Sequence, residues 1–261
     1  MTLPYNGVCI FTYGRTGSTL LCEQLVHGIK TKHNINAISL YELLTPHGTF
    51  APNYDHLVVD NTGFLDRPIQ DQLGYHRLEG LTNTIEEGVF PVLKLFSTDL
   101  TADNRDLINK IILNNPNMYK ISLLRHDVVN QFLSWLISVA TSVWHHYDGD
   151  PKDEIRNFTS KPYVMSRKYA EEQAAGILLQ YMWHFEIGYK KCHQTVWYDQ
   201  LFNTDYPELG LSKSDLIETQ TKMNEDHFEA ARKCLANFDE MYNIAKRLED
   251  GIKPMLDRLR P

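Results

Sequence analysis

The chain has 261 residues, 43% of them hydrophobic and 23% charged, and a formal net charge of −7. That length sustains a sizeable core without disulfides or a structural metal, and the acidic balance lacks the basic footprint of a general nucleic-acid binder. A local pocket of donors for a small anion is compatible with it.

Residues 1–6 carry no basic side chain, and the apolar run 8–11 is too short for the hydrophobic region of a signal peptide. No apolar stretch approaches the roughly 20 residues of a membrane span. The expectation is a cytoplasmic protein. Cys9, Cys22, Cys192 and Cys234 are scattered, with no CxxC pair, and read as buried reduced thiols.

The first apolar run, residues 8–13, reads as a strand and residues 14–18 as a loop. From Thr19 the residues Leu20, Leu21, Leu25 and Val26 recur at helical spacing, which predicts a helix to about Ile29. Short apolar runs at 37–41, 56–59, 89–96, 119–124 and 195–198 read as further strands. Helical patterns lie at 102–113 and 127–140. In the second, Val129, Phe132, Leu133, Leu136 and Ala140 form one apolar face. Strands alternating with helices imply βαβ units and a mainly parallel sheet. Residues 169–189 and 228–248 read as helices with wide apolar stripes. The segment 144–163, with Gly149, Pro151 and Pro162, reads as a long irregular connection of the kind that forms lids or binding loops. We therefore expect one α/β domain spanning 1–261, with about five parallel strands and helical C-terminal decoration.

Chemistry concentrates at the end of the first strand, in Thr12-Tyr13-Gly14-Arg15-Thr16-Gly17-Ser18-Thr19-Leu20-Leu21. Two glycines allow a tight turn that aims backbone N–H groups inward, and the following helix adds unpaired amides and the positive end of its dipole. Ser18 and Thr19 supply hydroxyls and Arg15 a permanent cation. Together they make an anion cradle; the plainer alternative is a glycine turn with a surface arginine. A Walker A loop requires Gly-Lys before its Ser/Thr, and here Gly17 directly precedes Ser18, so that lysine is absent.

A second anion-binding pattern follows at Ile121-Ser122-Leu123-Leu124-Arg125-His126-Asp127. An arginine at the carboxyl end of a parallel strand faces the crevice where such sheets bind ligands. Ser134 sits about two turns into the next helix, within the range of an arginine side chain. The alternative is a structural arginine paired with Asp127.

The loop resembles the 5'-phosphosulfate loop of sulfotransferases, and its Arg-Thr-Gly-Ser-Thr-Leu-Leu form is most similar to the bacterial trehalose-type branch. Animal cytosolic enzymes usually carry lysine at the position of Arg15. The Arg125 and Ser134 pair resembles the family's 3'-phosphate motif; the trehalose-type branch often has a second arginine where this chain has His126. Val196-Trp197-Tyr198-Asp199-Gln200-Leu201 is similar to the family's late strand, which makes Tyr198 a candidate nucleotide contact or simply a half-buried strand aromatic. Pro91-Val92-Leu93-Lys94-Leu95-Phe96 resembles its lysine-bearing central strand. The catalytic histidine of animal enzymes would fall on Phe96 and is missing.

The resemblance implies a P-loop-like parallel sheet and a sulfuryl donor, 3'-phosphoadenosine-5'-phosphosulfate. It implies no metal. Gly14, Arg15, Thr16, Gly17, Ser18, Thr19, Arg125, Ser134 and Tyr198 would hold the donor. Arg15 and Lys94 would neutralise the departing phosphate. Glu42, at the end of the second strand, would be the general base, as in carboxylate-base relatives, with His47 in reserve. Thr221-Lys222 is either a nucleotide-covering loop or a solvated one. The acceptor is a hydroxyl or amine of a small molecule or carbohydrate; sugar, lipid, phenol and peptide all stay open, as does the oligomeric state. Trp144, Tyr147, Phe158 and Tyr163 are candidates to shape its pocket. Adjacent His145 and His146 lack a third partner at zinc-ligand spacing. Competing readings are a nucleotide-dependent kinase, with His56-Leu57-Val58-Val59-Asp60 as a Walker B-like strand, and a nucleotide-binding protein without turnover.

Overall fold

The computed structural model describes residues 3–42, 78, 80–96, 105–106, 108–141, 162–216 and 227–259. Five strands, β1 (Gly7–Thr12), β2 (Ala37–Glu42), β3 (Phe90–Phe96), β4 (Met118–Leu124) and β5 (Gln194–Trp197), form one sheet in the order β2-β3-β1-β4-β5. Every pairing is parallel. Strands covered on both faces carry continuous apolar runs rather than alternation, and β1 and β4 are buried along their whole length.

On one face, α1 (Ser18–His33) lays Leu21, Leu25 and Ile29 against Val8, Ile10 and Val92. On the other, Cys9, Phe11, Leu93 and Leu95 meet Leu81, Ile108 and Ile112. A third cluster joins α2 (Val128–Thr141), α3 (Arg167–Trp183), α4 (His227–Cys234) and α5 (Phe238–Leu259) through Phe132, Leu136, Ile177, Tyr181, Ala231, Met241 and Ile244. This helical assembly is the expected C-terminal decoration. Each fully buried Leu, Ile or Phe contributes about 1.5–3 kcal/mol, so the three clusters together hold the sheet in register.

Several boundaries differ from the sequence reading. The span 228–248 is two helices, because the chain breaks at Leu235–Asn237 to meet another segment: Tyr163 N–H donates to the Cys234 carbonyl at 2.8 Å and Ala236 N–H to the Tyr163 carbonyl at 2.9 Å. The second of the two then runs on to Leu259, through Pro254. The helix expected over 169–189 starts at Arg167 and turns π-helical over His184–Gly188. The end of the 102–113 pattern is likewise a π-helical turn, Asn109–Leu113. The fifth strand ends at Trp197, and Tyr198 opens a 3-10 turn, Tyr198–Asn203. The expected strand at 56–59, its Asp60, His47, His145, His146, Trp144, Tyr147, Phe158 and the Thr221-Lys222 pair lie outside the described residues. No helix among the described residues is long and apolar enough to cross a membrane.

The strand order positions the site. From β1 the chain crosses to the β2 edge, returns to β3, then passes to the far side as β4 and β5. Connections therefore leave the carboxyl ends of β1 and β4 in opposite directions. Open α/β sheets bind ligands in the crevice so formed.

Candidate functional site

The loop after β1 is built as a cradle. Gly17 is the N-cap of α1, in the left-handed region at φ 77°, and no side chain caps the helix. The first turn of this 16-residue helix has no acidic residue, so no carboxylate of its own offsets the positive end of the dipole. Gly17 has a packing reason as well: a β-carbon there would lie 2.6 Å from Leu201 Cδ1 and 3.1 Å from the Tyr198 ring. Gly14 is required by contact alone, since its β-carbon would fall 1.7 Å from Trp135 Cζ3. Inside the loop Thr16 Oγ1 donates to the Tyr13 carbonyl at 2.9 Å and meets Thr12 Oγ1. From α2, Gln131 Nε2 donates to the Gly14 carbonyl at 3.0 Å.

Arg15 is one of two non-glycine residues with positive φ among those described, at 66°. That conformation costs roughly 1–2 kcal/mol for an L-residue and persists where surrounding contacts enforce it. Two such contacts lie among the described residues. Arg15 Nε donates to Ser134 Oγ at 2.9 Å, and Arg125 Nη1 donates to the Arg15 carbonyl at 3.1 Å. The two anion motifs, 110 positions apart in sequence, are thus one cluster in space, because β1 and β4 are neighbours.

Arg125 is only 6% exposed, and its Nε is buried with no hydrogen-bond partner. Its guanidinium stacks over the Tyr198 ring at 4.3 Å. The structural pairing with Asp127 does not form. Asp127 instead accepts from Asn130 N–H at 2.9 Å at the start of α2, and no described carboxylate makes an ion pair with Arg125. Burial pulls both guanidiniums below their ordinary values; Tyr198 opposes the shift in each, and the Arg125 charge adds to it at Arg15. Both remain cations, so this is a desolvated site of concentrated positive charge.

Lys94, on β3, is 4% exposed and donates from Nζ to Thr19 Oγ1 at 2.9 Å. It therefore supplies a cation at the first turn of α1 from a neighbouring strand. Lys120, a second buried strand lysine, makes a useful contrast. Its ammonium sits among its own carbonyls, on Asn115 at 2.7 Å and Met118 at 2.9 Å, and is structural. Glu42 ends β2 at the register position beside Lys94. Phe96, where the animal histidine would fall, tilts against Tyr13 with ring centroids 5.8 Å apart. The His126 ring stacks on Trp197 at 3.7 Å and 12°.

Arg15, Ser18, Thr19, Arg125, Ser134, Lys94 and Tyr198 thus converge at the carboxyl ends of β1, β3, β4 and β5. Sequence reasoning missed Trp135, Gln131 and Tyr181. Trp135 stacks on Tyr13 at 5.4 Å and donates from Nε1 to the Tyr169 hydroxyl at 3.0 Å. A local signal existed only for Gln131, a polar residue inside an apolar helical stripe. No family model matches the chain, and no curated protein matches it.

Proposed function

We propose that the chain is a sulfotransferase that uses 3'-phosphoadenosine-5'-phosphosulfate as donor. The observation that carries this reading is Arg125. A buried guanidinium with a bare Nε and no ion pair among the described residues is costly unless an anion completes it. Ser134 and Arg15 lie beside it, while Lys94 and the open N-terminus of α1 offer a second anion position a strand away. A nucleotide with phosphates at both its 3' and 5' positions matches two such positions.

In the proposed reaction an acceptor oxygen or nitrogen forms a bond to sulfur as the bond from sulfur to the bridging phosphate oxygen breaks. The negative charge that appears on that phosphate is met by Lys94, the Ser18 and Thr19 hydroxyls and the loop amides. Glu42 takes the acceptor proton. Its register position beside Lys94 supports that role, because base and leaving-group cation then stand on adjacent strands. Positioning and electrostatics supply the acceleration.

Thermal unfolding with added nucleotides tests the reading, since a ligand that binds only the native state raises the melting temperature. The expected result is stabilisation by adenosine 3',5'-bisphosphate in the presence of EDTA. Stronger stabilisation by ATP, and only with magnesium, would favour the kinase alternative.

A further inference from the structure

We infer that α3 is seated on the sheet through a closed internal water site, formed by Gln180, Trp183 and His184 over Ser122 of β4. The site stands apart from the anion cluster, and the inference does not rest on the sulfotransferase reading. Gln180, Trp183 and His184 stand at i, i+3 and i+4, which puts them on one face of the helix. That face lies against two neighbouring strands. The Trp183 ring stacks on Phe11 of β1 with centroids 4.6 Å apart, and His184 Nδ1 pairs with the Ser122 hydroxyl on β4. Phe11 and Ser122 are register partners, so two consecutive residues of the helix cover adjacent positions of the sheet. The π-helical turn that follows brings Gly188 back against both rings: a β-carbon added there would lie 2.7 Å from Trp183 Cζ3 and 3.1 Å from His184 Nδ1.

Such a face should be apolar, as its neighbours Phe11, Leu93 and Leu95 are. Gln180 is 1% exposed, His184 0% and Trp183 9%. Both polar atoms of the Gln180 amide, Trp183 Nε1 and His184 Nε2 are nevertheless buried with no hydrogen-bond partner among the described residues. Bare buried polar atoms are costly, and native proteins answer them with protein groups or ordered water. The chemistry of these atoms fixes the occupant. The indole N–H only donates, the amide both donates and accepts, and His184 Nε2 does one or the other according to the direction of the Ser122 bond. The occupant must therefore accept and donate at once. It is also neutral: indole and amide N–H groups offer nothing to a cation, and burial alone lowers the His184 pKa, with no charged group contributing. A water molecule, which makes roughly 2–4 hydrogen bonds to otherwise unanswered buried groups, meets all of these conditions.

A crystal structure of the full chain, at a resolution that shows ordered water, tests this directly. The expected result is a water within about 2.7–3.2 Å of at least two of the four atoms. Gln180→Met, which keeps the length of the side chain and removes its amide, is compared with wild type by thermal unfolding. It should melt lower by about 2–4 °C, because Trp183 Nε1 and His184 Nε2 lose the bridge that the amide helps to hold. Side chains that bond one another or other protein groups directly, with no water between them, would overturn the inference. So would a Gln180→Met variant that melts at or above wild type, the behaviour of a dry site relieved of a buried amide. Density too large for water would put a retained small molecule in its place and overturn the assignment as well. If the variant does not fold, the wild-type crystal structure decides alone.

Discussion

The Tyr181 hydroxyl holds both backbone groups of Arg125, accepting from its N–H at 3.2 Å and donating to its carbonyl. Tyr181 lies on α3 and is 1% exposed. It fixes the backbone from which the Arg125 side chain departs. Tyr181→Phe removes both bonds with little change of shape. We expect a stability loss of about 1–3 kcal/mol in urea denaturation, together with weaker binding of adenosine 3',5'-bisphosphate. Unchanged affinity for the bisphosphate would show that Arg125 needs no such clamp.

Gly14 and Trp135 form the second supporting contact. An added β-carbon at Gly14 meets the indole at 1.7 Å, a clash that only a shift of the indole or of the loop backbone can absorb. Gly14→Ala should destabilise the protein by about 1–3 kcal/mol or more, as overpacking does, and displace the loop. Trp135→Leu in the same chain should recover part of the loss. A double variant no more stable than Gly14→Ala would mean that the glycine serves the backbone rather than the contact.

A titration in the core provides a test independent of function. His184 is fully buried, its Nδ1 pairs with the Ser122 hydroxyl, and burial lowers its pKa from 6.5 to about 4. The unfolded chain thus binds a proton between those values that the folded chain refuses. Stability attributable to this group is complete above pH 6.5 and falls as the pH drops toward 4. The loss should reach about 2–4 kcal/mol. His184→Asn should flatten that slope when denaturation is measured from pH 7 to pH 4.

Glu42→Gln should nearly abolish transfer while leaving nucleotide affinity unchanged, because the amide keeps the shape but cannot take a proton. The same phenotype from His47→Ala, with Glu42→Gln active, would move the base to His47. Lys94→Ala should lower turnover more than donor affinity, since it would act on charge that develops at the leaving phosphate.

How much of this was legible in the sequence depends on the distance over which each feature is encoded. The β1 strand, the Gly14–Gly17 loop and the start of α1 are contiguous, so spacing and turn chemistry announce them. Arg125 is announced by its place at the end of an apolar run. The sheet and its parallel sense follow from alternation of strands with helices. The contact between Arg15 and Ser134 was hidden, because it depends on β4 lying beside β1, and nothing local encodes that order. Tyr181 and Trp135 were hidden for the same reason: each reads as one more apolar position in a helical stripe. The break at Leu235–Asn237 escaped because the apolar period continues through it, while the cause, pairing with Tyr163, lies far away in sequence.

Transfer itself is the most direct test of the central claim. The purified chain would be incubated with EDTA, an extract of small polar molecules as acceptor pool, and donor labelled with radioactive sulfur in its sulfuryl group. Wild type should move label from 3'-phosphoadenosine-5'-phosphosulfate to an acceptor and release adenosine 3',5'-bisphosphate. It should use adenosine 5'-phosphosulfate far less well, and Arg125→Ala should narrow that gap by roughly 30- to 150-fold in kcat/KM. Label that stays on both sulfur donors, while magnesium ATP gives up its terminal phosphate to the same pool, would contradict the account.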